Sequence, residues 1–246
     1  MEDFVILSDE DDKIVYKIIK SENSKFVLTG LNYRKIIVVN KDEVRDADDE
    51  FLLFEAMKTD KYEKKVEGKL NKNLKLGTVL HIDSDSSYLN RCIELYNKVG
   101  IYCYPVLTKE ADIEEKVDEF DFSPDVVVIT GHDFYNGGNI KDINSYTNSA
   151  HFVKGVKKIR NKYPNAVIIA GACQSNFEAL IANGADFASS PKRRNVHIFD
   201  PVVIAIAVST TSIRKIVDFQ KQEKYIEGFK ESYSGLETYG KMRMLY

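Results

Sequence analysis

Three cysteines and four histidines carry most of the nucleophilic and proton-transfer potential of this 246-residue sequence. Cys173 stands in Ala170-Gly171-Ala172-Cys173-Gln174-Ser175, directly after an apolar run over 166–170. Gly171 and Ala172 permit a tight exit from a strand. The helical pattern that follows, with Phe177, Leu180 and Ile181 on one face, aims an N-terminal dipole at the thiol, which lowers a thiol pKa. His132 stands in Thr130-Gly131-His132-Asp133 after a second apolar run, 126–129. If the two runs are neighbouring parallel strands, thiol and imidazole leave the sheet about one strand spacing apart, ~5 Å. Such a pair suits nucleophilic attack on a carbonyl, since the imidazole takes the thiol proton and later protonates the leaving amine. A third run, 78–82, ends in Asp83-Ser84-Asp85 and brings two carboxylates to the same edge.

The other candidates read as structural. Cys92 falls on the apolar face of a helical pattern and Cys103 within a strand, both as small buried hydrophobes. His81 lies inside a strand and His151 at a helix start. His197, in Asn195-Val196-His197-Ile198-Phe199-Asp200-Pro201, is the rival base, and its apolar neighbours favour packing. Asp200-Pro201 reads as an N-cap followed by proline at the first helical position.

The elements that must position these groups are legible in the apolar spacing. Short apolar runs at 4–7, 14–19, 26–28 and 36–39, separated by turn residues, predict a small antiparallel β module over 1–55. Residues 56–75 are polar and lysine-rich and read as a linker, with helical turns as an option. From 76 to 246 strands alternate with helices: 78–82, an amphipathic helix from near Ser86 to Gly100, 101–107, a helix over 110–120, 126–129, a helix carrying Phe152, Val153, Val156 and Ile159, 166–170, and a helix ending at Asn183-Gly184. The expected fold is therefore α/β: a mostly parallel sheet with helices on both faces, flavodoxin-like or caspase-like, behind a small antiparallel β module. Ligands of such sheets bind at the carboxyl ends of the strands, where His132, Cys173, Asp83 and Asp85 gather.

Composition bounds the rest. A net charge of −3, from 35 Lys and Arg against 38 Asp and Glu, offers no global field for nucleic acid. The longest apolar run, near 202–208, is too short to span a membrane. The N-terminus shows no secretory pattern, and an odd number of cysteines without C-x-x-C spacing points to a reducing compartment rather than a disulfide framework or structural zinc. No P-loop, GxGxxG or metal-ligand cluster is present, so no cofactor is expected.

Ala172-Cys173-Gln174 fits part of the caspase-type signature, in which a histidine lies upstream, while Gly171, Ser175 and Asp133 depart from it. A wider resemblance covers most of 77–246. It rests on Leu80-His81-Ile82-Asp83-Ser84-Asp85, Ile129-Thr130-Gly131-His132-Asp133, Ala170-Gly171-Ala172-Cys173-Gln174-Ser175, Ala188-Ser189-Ser190-Pro191-Lys192-Arg193, Asn195-Val196-His197 with Asp200-Pro201, and Gly235-Leu236-Glu237-Thr238. In these motifs the sequence resembles the YabG family of sporulation-specific cysteine peptidases from endospore-forming bacteria. The resemblance implies an endopeptidase of the sporulating mother cell that processes spore coat, morphogenetic and germination proteins, cleaving after basic residues. It implies Cys173 and His132 as the catalytic pair. Gly131 and Asp133 are then expected in the turn that helps form the oxyanion site. Asp83 and Asp85 become the candidates for holding a basic P1 side chain, with Asp133 third. Lys192-Arg193-Arg194 is a solvated turn, a contact for acidic substrate near the sheet edge, or a self-cleavage site.

Two other readings compete. A strand ending in acidic residues followed by an amphipathic helix also suits a non-enzymatic receiver-like or flavodoxin-like sensor module. That module needs its acceptor Asp where this sequence has Thr130-Gly131-His132. A class I glutamine amidotransferase also mounts a cysteine on a strand-to-helix elbow, but requires glycine where Ser175 stands and a downstream His-x-Glu.

Overall fold

A computed structural model describes residues 4–9, 14–64, 73–226 and 228–245. Five short strands near the N-terminus, β1 (Phe4–Leu7), β2 (Tyr16–Glu22), β3 (Lys25–Gly30), β4 (Ile36–Asn40) and β5 (Val44–Asp46), form an antiparallel sheet in the order β4-β3-β2-β1-β5. Its alternating apolar residues pack Val5, Ile14, Tyr16 and Leu28 into a small core. Asn23, at φ 43°, makes the tight β2–β3 turn, a backbone state asparagine tolerates better than most residues.

Helix α1 (Asp49–Lys64) occupies much of the stretch expected to be a linker and crosses the expected boundary at 55 and 56. Its docking face is polar: the Tyr62 hydroxyl donates to Asp200 Oδ1 at 2.6 Å and its ring stacks on His197. A helix held by hydrogen bonds and one aromatic ring leaves no apolar period in the sequence.

The second sheet contains β7 (Val79–Asp83), β8 (Cys103–Leu107), β9 (Val126–Ile129), β10 (Val167–Ala170), β11 (Phe187–Ser189) and β12 (Tyr233–Gly235). A two-stranded ribbon of β6 (Leu74–Lys75) and β13 (Arg243–Met244) ties the tail to the start of this region. The larger sheet runs β12-β11-β10-β9-β7-β8, with the first five strands in sequence parallel and β12 antiparallel at the edge. Val126 and Val128 face a layer formed with α2 (Ser86–Val99) and α6 (Asp200–Thr210), whereas Val127 and Ile129 face α3 (Ile113–Lys116), α4 (Ser149–Lys162) and α5 (Phe177–Ala182). Burial on both faces explains the unbroken apolar runs, each aliphatic side chain contributing ~1.5–3 kcal/mol. Short α7 (Phe229–Ser232) leads into β12.

Two stop signals fix α2 against the sheet edge. Asp85 accepts from the Ser87 and Tyr88 N–H groups at its start, and Gly100, at φ 75°, ends it in the left-handed region. Because β7 and β9 are neighbours while the chain goes first to β8, the carboxyl edge opens a crevice between them. Among the described residues no helix is long and apolar enough to cross a membrane, and no group of three His, Cys, Asp or Glu side chains could hold a metal ion.

Candidate active site

Ile129 at the end of β9 pairs with Ala170 at the end of β10. His132 and Cys173 each follow three residues later, so parallel register alone delivers them to matching positions on the carboxyl edge. The two exits are stitched together. Asp133 Oδ2 accepts from the Ser175 and Ser149 hydroxyls at 3.0 and 2.5 Å, and its Oδ1 accepts from the Asn148 and Phe134 N–H groups at 2.7 and 2.9 Å. Gln174 Oε1 accepts from Tyr135 N–H at 3.2 Å. With four donors on its two oxygens, Asp133 braces the loops and has little capacity left for a substrate cation. Burial raises its pKa, against the pull of those hydrogen bonds.

The imidazole is set by a residue that sequence reasoning missed. Glu110, just past edge strand β8, accepts from the His132 N–H at 2.7 Å and from the Ser84 hydroxyl at 2.5 Å, and lies 3.7 Å from His132 Nδ1. Ser84 Oγ is itself 3.2 Å from Nδ1. Burial alone would raise the Glu110 pKa, but the His132 and Ser84 hydrogen bonds outweigh it and hold the carboxyl near 2. His132 Nε2, on the far side of the ring, is buried without a hydrogen-bond partner. An imidazole with one nitrogen held beside a carboxylate and the other open is oriented for proton transfer. Gly131 serves this arrangement: a Cβ there would lie 2.6 Å from Glu110 Oε1 and 3.0 Å from Ser84 Oγ. The bare backbone therefore makes room for the carboxylate. Because the His132 N–H is committed to Glu110, it cannot also bind an oxyanion.

Cys173 is 2% exposed. Its thiol accepts from Val196 N–H at 3.3 Å and donates to the Val196 carbonyl at 3.7 Å, and no hydrogen bond joins it to the His132 ring among the described residues. Burial pushes its pKa up, opposed by backbone N–H groups of Val196 and Arg34. Gly171 turns the chain toward it at φ 110°, where a Cβ would sit 2.3 Å from Ser189 Oγ, and Gln174 adopts φ 60°. The thiol and imidazole thus share an edge in a resting arrangement in which the thiol is turned to Val196.

The two other carboxylates separate. Asp85 is spent on the cap of α2. Asp83 is fully buried and holds a guanidinium, that of Arg34 from the turn between β3 and β4. Arg34 Nε and Nη2 reach Asp83 Oδ2 at 2.9 and 2.7 Å, Nη1 donates to the Ile198 carbonyl at 3.3 Å and Nη2 to Cys92 Sγ at 3.6 Å, while the Tyr88 ring lies 5.7 Å from the guanidinium carbon. Thr130 Oγ1 and Asp85 N–H also donate to Asp83, at 2.6 and 2.9 Å. Burial works against the Asp83 charge, and Arg34, His81 and Thr130 outweigh it, so its pKa lies below the ordinary carboxylate value. Cys92, expected to be plain core, lines this pocket, and burial raises its pKa to about 11.

Two of the remaining histidines are buried away from Glu110, and His197, like His132, has a buried Nε2 without a hydrogen-bond partner. His81 bonds Thr130 and Tyr96 through its two ring nitrogens, and burial lowers its pKa to about 3. His197 accepts from Phe199 N–H at Nδ1 and stacks on Tyr62. In the run Lys192-Arg193-Arg194 the Arg193 side chain is 6% exposed and bound to the Tyr146 hydroxyl and Glu178, whereas Lys192 is exposed and Arg194 pairs with Glu231 at the surface.

Fold and site together define a doubly wound α/β protein whose carboxyl edge carries a thiol, a carboxylate-held imidazole and a guanidinium-binding carboxylate. A family model described as YabG peptidase U57 matches residues 2–246. The chain belongs to that family. It is 41% identical over 177 residues to the sporulation-specific protease YabG of Bacillus subtilis (strain 168), a match covering 68% of this chain and 60% of that protein.

Proposed function

We propose that the protein is a cysteine endopeptidase of sporulating cells that cleaves after basic residues. The observation that carries this reading is the joint presence, on one sheet edge, of Cys173, an imidazole with an open buried Nε2, and a buried Asp83 that already accommodates an arginine side chain. The relative's printed description, a sporulation-specific protease, agrees with it. Numbered in chain order, the parallel strands follow the 2-1-3-4-5 order of flavodoxin-like sheets, with β12 added antiparallel beyond the fifth, and the crevice between the first and third strands is where such sheets bind ligands.

In this mechanism His132 Nε2 accepts the Cys173 proton as Sγ attacks the scissile carbonyl, and a thioester forms as the C–N bond breaks and the amine leaves with the proton from Nε2. Water then hydrolyses the thioester. Glu110 is a positioning residue that holds Nδ1 and stabilises the imidazolium. The Cys173 N–H, with a second N–H from the turn at Gly131 and Asp133, binds the oxyanion. Asp83 provides the charge for a basic P1 side chain and Thr130 orients it. Spore coat, morphogenetic and germination proteins in the mother cell are the proposed substrates.

The test uses fluorogenic peptides with Arg, Lys or Gln at P1. Cys173→Ala should abolish cleavage, and Asp83→Asn should cut the preference for Arg over Gln by at least about tenfold, one charge-assisted pair being worth ~1.5–3 kcal/mol. Cleavage by Cys173→Ala at the wild-type rate would remove the nucleophile, and unchanged selectivity in Asp83→Asn would remove the pocket assignment.

A further inference from the structure

The guanidinium in the Asp83 pocket belongs to this chain, on a segment that pairs with the stretch flanking the Cys173 thiol. Tyr33 forms an antiparallel bridge with His197, and Ile198 N–H donates to the Asn32 carbonyl at 3.0 Å. Residues 32 and 33 therefore add a short strand beside 197–198, the same segment whose Val196 holds the Cys173 thiol. One residue further on, the Arg34 side chain enters the pocket, its Nε 2.9 Å from Asp83 Oδ2. Strand addition with alternate side chains directed into pockets is a general mode of peptide recognition.

We propose that residues 32–35 are a built-in pseudosubstrate, with Arg34 in the P1 position, Tyr33 in P2 and Asn32 in P3, and that the enzyme is latent while this segment is seated. The proposal rests on the peptidase reading above and adds its regulation. The segment is seated without being presented for cleavage. Lys35 N–H donates to the Tyr33 carbonyl at 2.7 Å and Gly30 N–H to the Lys35 carbonyl at 2.8 Å, so the chain reverses immediately after Arg34. The leaving side is folded back, and the thiol lies against Val196. The seat is also clamped from outside the pocket. Arg91 donates to the Leu31 carbonyl at 2.7 Å and to Asn32 Oδ1 at 2.5 Å, Asn32 Nδ2 donates to Glu55 of α1 at 2.5 Å, and the Tyr88 hydroxyl bonds the Gly30 and Tyr33 carbonyls. A peptide substrate must displace this segment to reach Asp83, so activation is the release of the β3–β4 turn from the cleft.

The experiment compares full-length wild type, Arg34→Ala and Arg91→Ala. Two rates are measured on each: alkylation of Cys173 by iodoacetamide, read residue by residue by peptide mass mapping, and hydrolysis of a fluorogenic tripeptide with Arg at P1. Thermal melts establish folding. Vacating the pocket should raise both rates in Arg34→Ala by on the order of tenfold or more, the shift in open fraction that ~1.4 kcal/mol produces. Arg91→Ala, which loosens the clamp while leaving the Arg34–Asp83 pair intact, should raise both by less. A folded Arg34→Ala that alkylates and hydrolyses at wild-type rates would overturn the proposal. If Arg34→Ala does not fold, wild-type rates in Arg91→Ala would overturn it. Faster alkylation with no hydrolysis in any form would leave the turn as a mere cover and sink the peptidase reading instead.

Discussion

Replacing Glu110 with Gln keeps the side-chain shape and removes the charge beside His132. In the native site Oε1 accepts from the His132 N–H and the Ser84 hydroxyl and lies 3.7 Å from Nδ1. Both hydrogen bonds fall from the charged to the neutral class, losing on the order of 1 kcal/mol each, and the imidazolium formed during attack loses its counter-charge. Together these amount to roughly 2–3 kcal/mol, a fall of about 30- to 160-fold in kcat/KM. Stability gives a second readout. The folded Glu110 pKa, about 2, lies below its ordinary 4.5, so its contribution is complete above pH 4.5 and is lost as pH falls toward 2. That contribution is at most about 3 kcal/mol, less where solvent reaches the carboxylate, because each tenfold change in proton affinity on folding is worth ~1.36 kcal/mol. Wild type should therefore melt higher than Glu110→Gln at neutral pH, and the two should converge between about pH 5 and 2. A variant with kcat/KM within about threefold of wild type (~0.6 kcal/mol) and an unchanged melting temperature at neutral pH would refute the positioning role.

Gly131→Ala pushes a methyl into Glu110 Oε1 and Ser84 Oγ, and should destabilise by ~1–3 kcal/mol while disturbing the imidazole; a circular-dichroism melt and kcat/KM both report it, and unchanged values would show that the turn yields freely. Asp133→Asn leaves one acceptor where two oxygens serve four donors, so the Tm should fall by roughly 3–10 °C; an unchanged Tm would mean that Asp133 does not brace the two exits.

Much of the doubly wound region is legible in the sequence, because strands buried on both faces must be continuously apolar and helices over them must be amphipathic. The runs at 126–129 and 166–170 become β9 and β10, and the helix after Asp85 stops at Gly100. Helix α1 was hidden because it docks through Tyr62 and Glu55 rather than an apolar stripe. Edge strand β5 was hidden within an acidic stretch because three residues are too few to show a period.

The site divides along the same line. Sequence by itself determined that Cys173 and His132 each follow a buried strand; the structure made those strands neighbours, so that parallel register carries residues at equal distances beyond paired positions to the same edge. It also placed Asp83 and Asp85 on that edge but could not distinguish them, because a capping aspartate and a pocket aspartate look alike in a turn. Tertiary structure decided that Asp85 caps α2 while Asp83 holds a guanidinium. It also decided that Glu110 reaches His132 from a strand two places away in the sheet, and that the arginine in the pocket comes from the β module. These pairings join residues that no local period relates; they exist because packing the module and edge strand against the sheet buries charges that must then find partners.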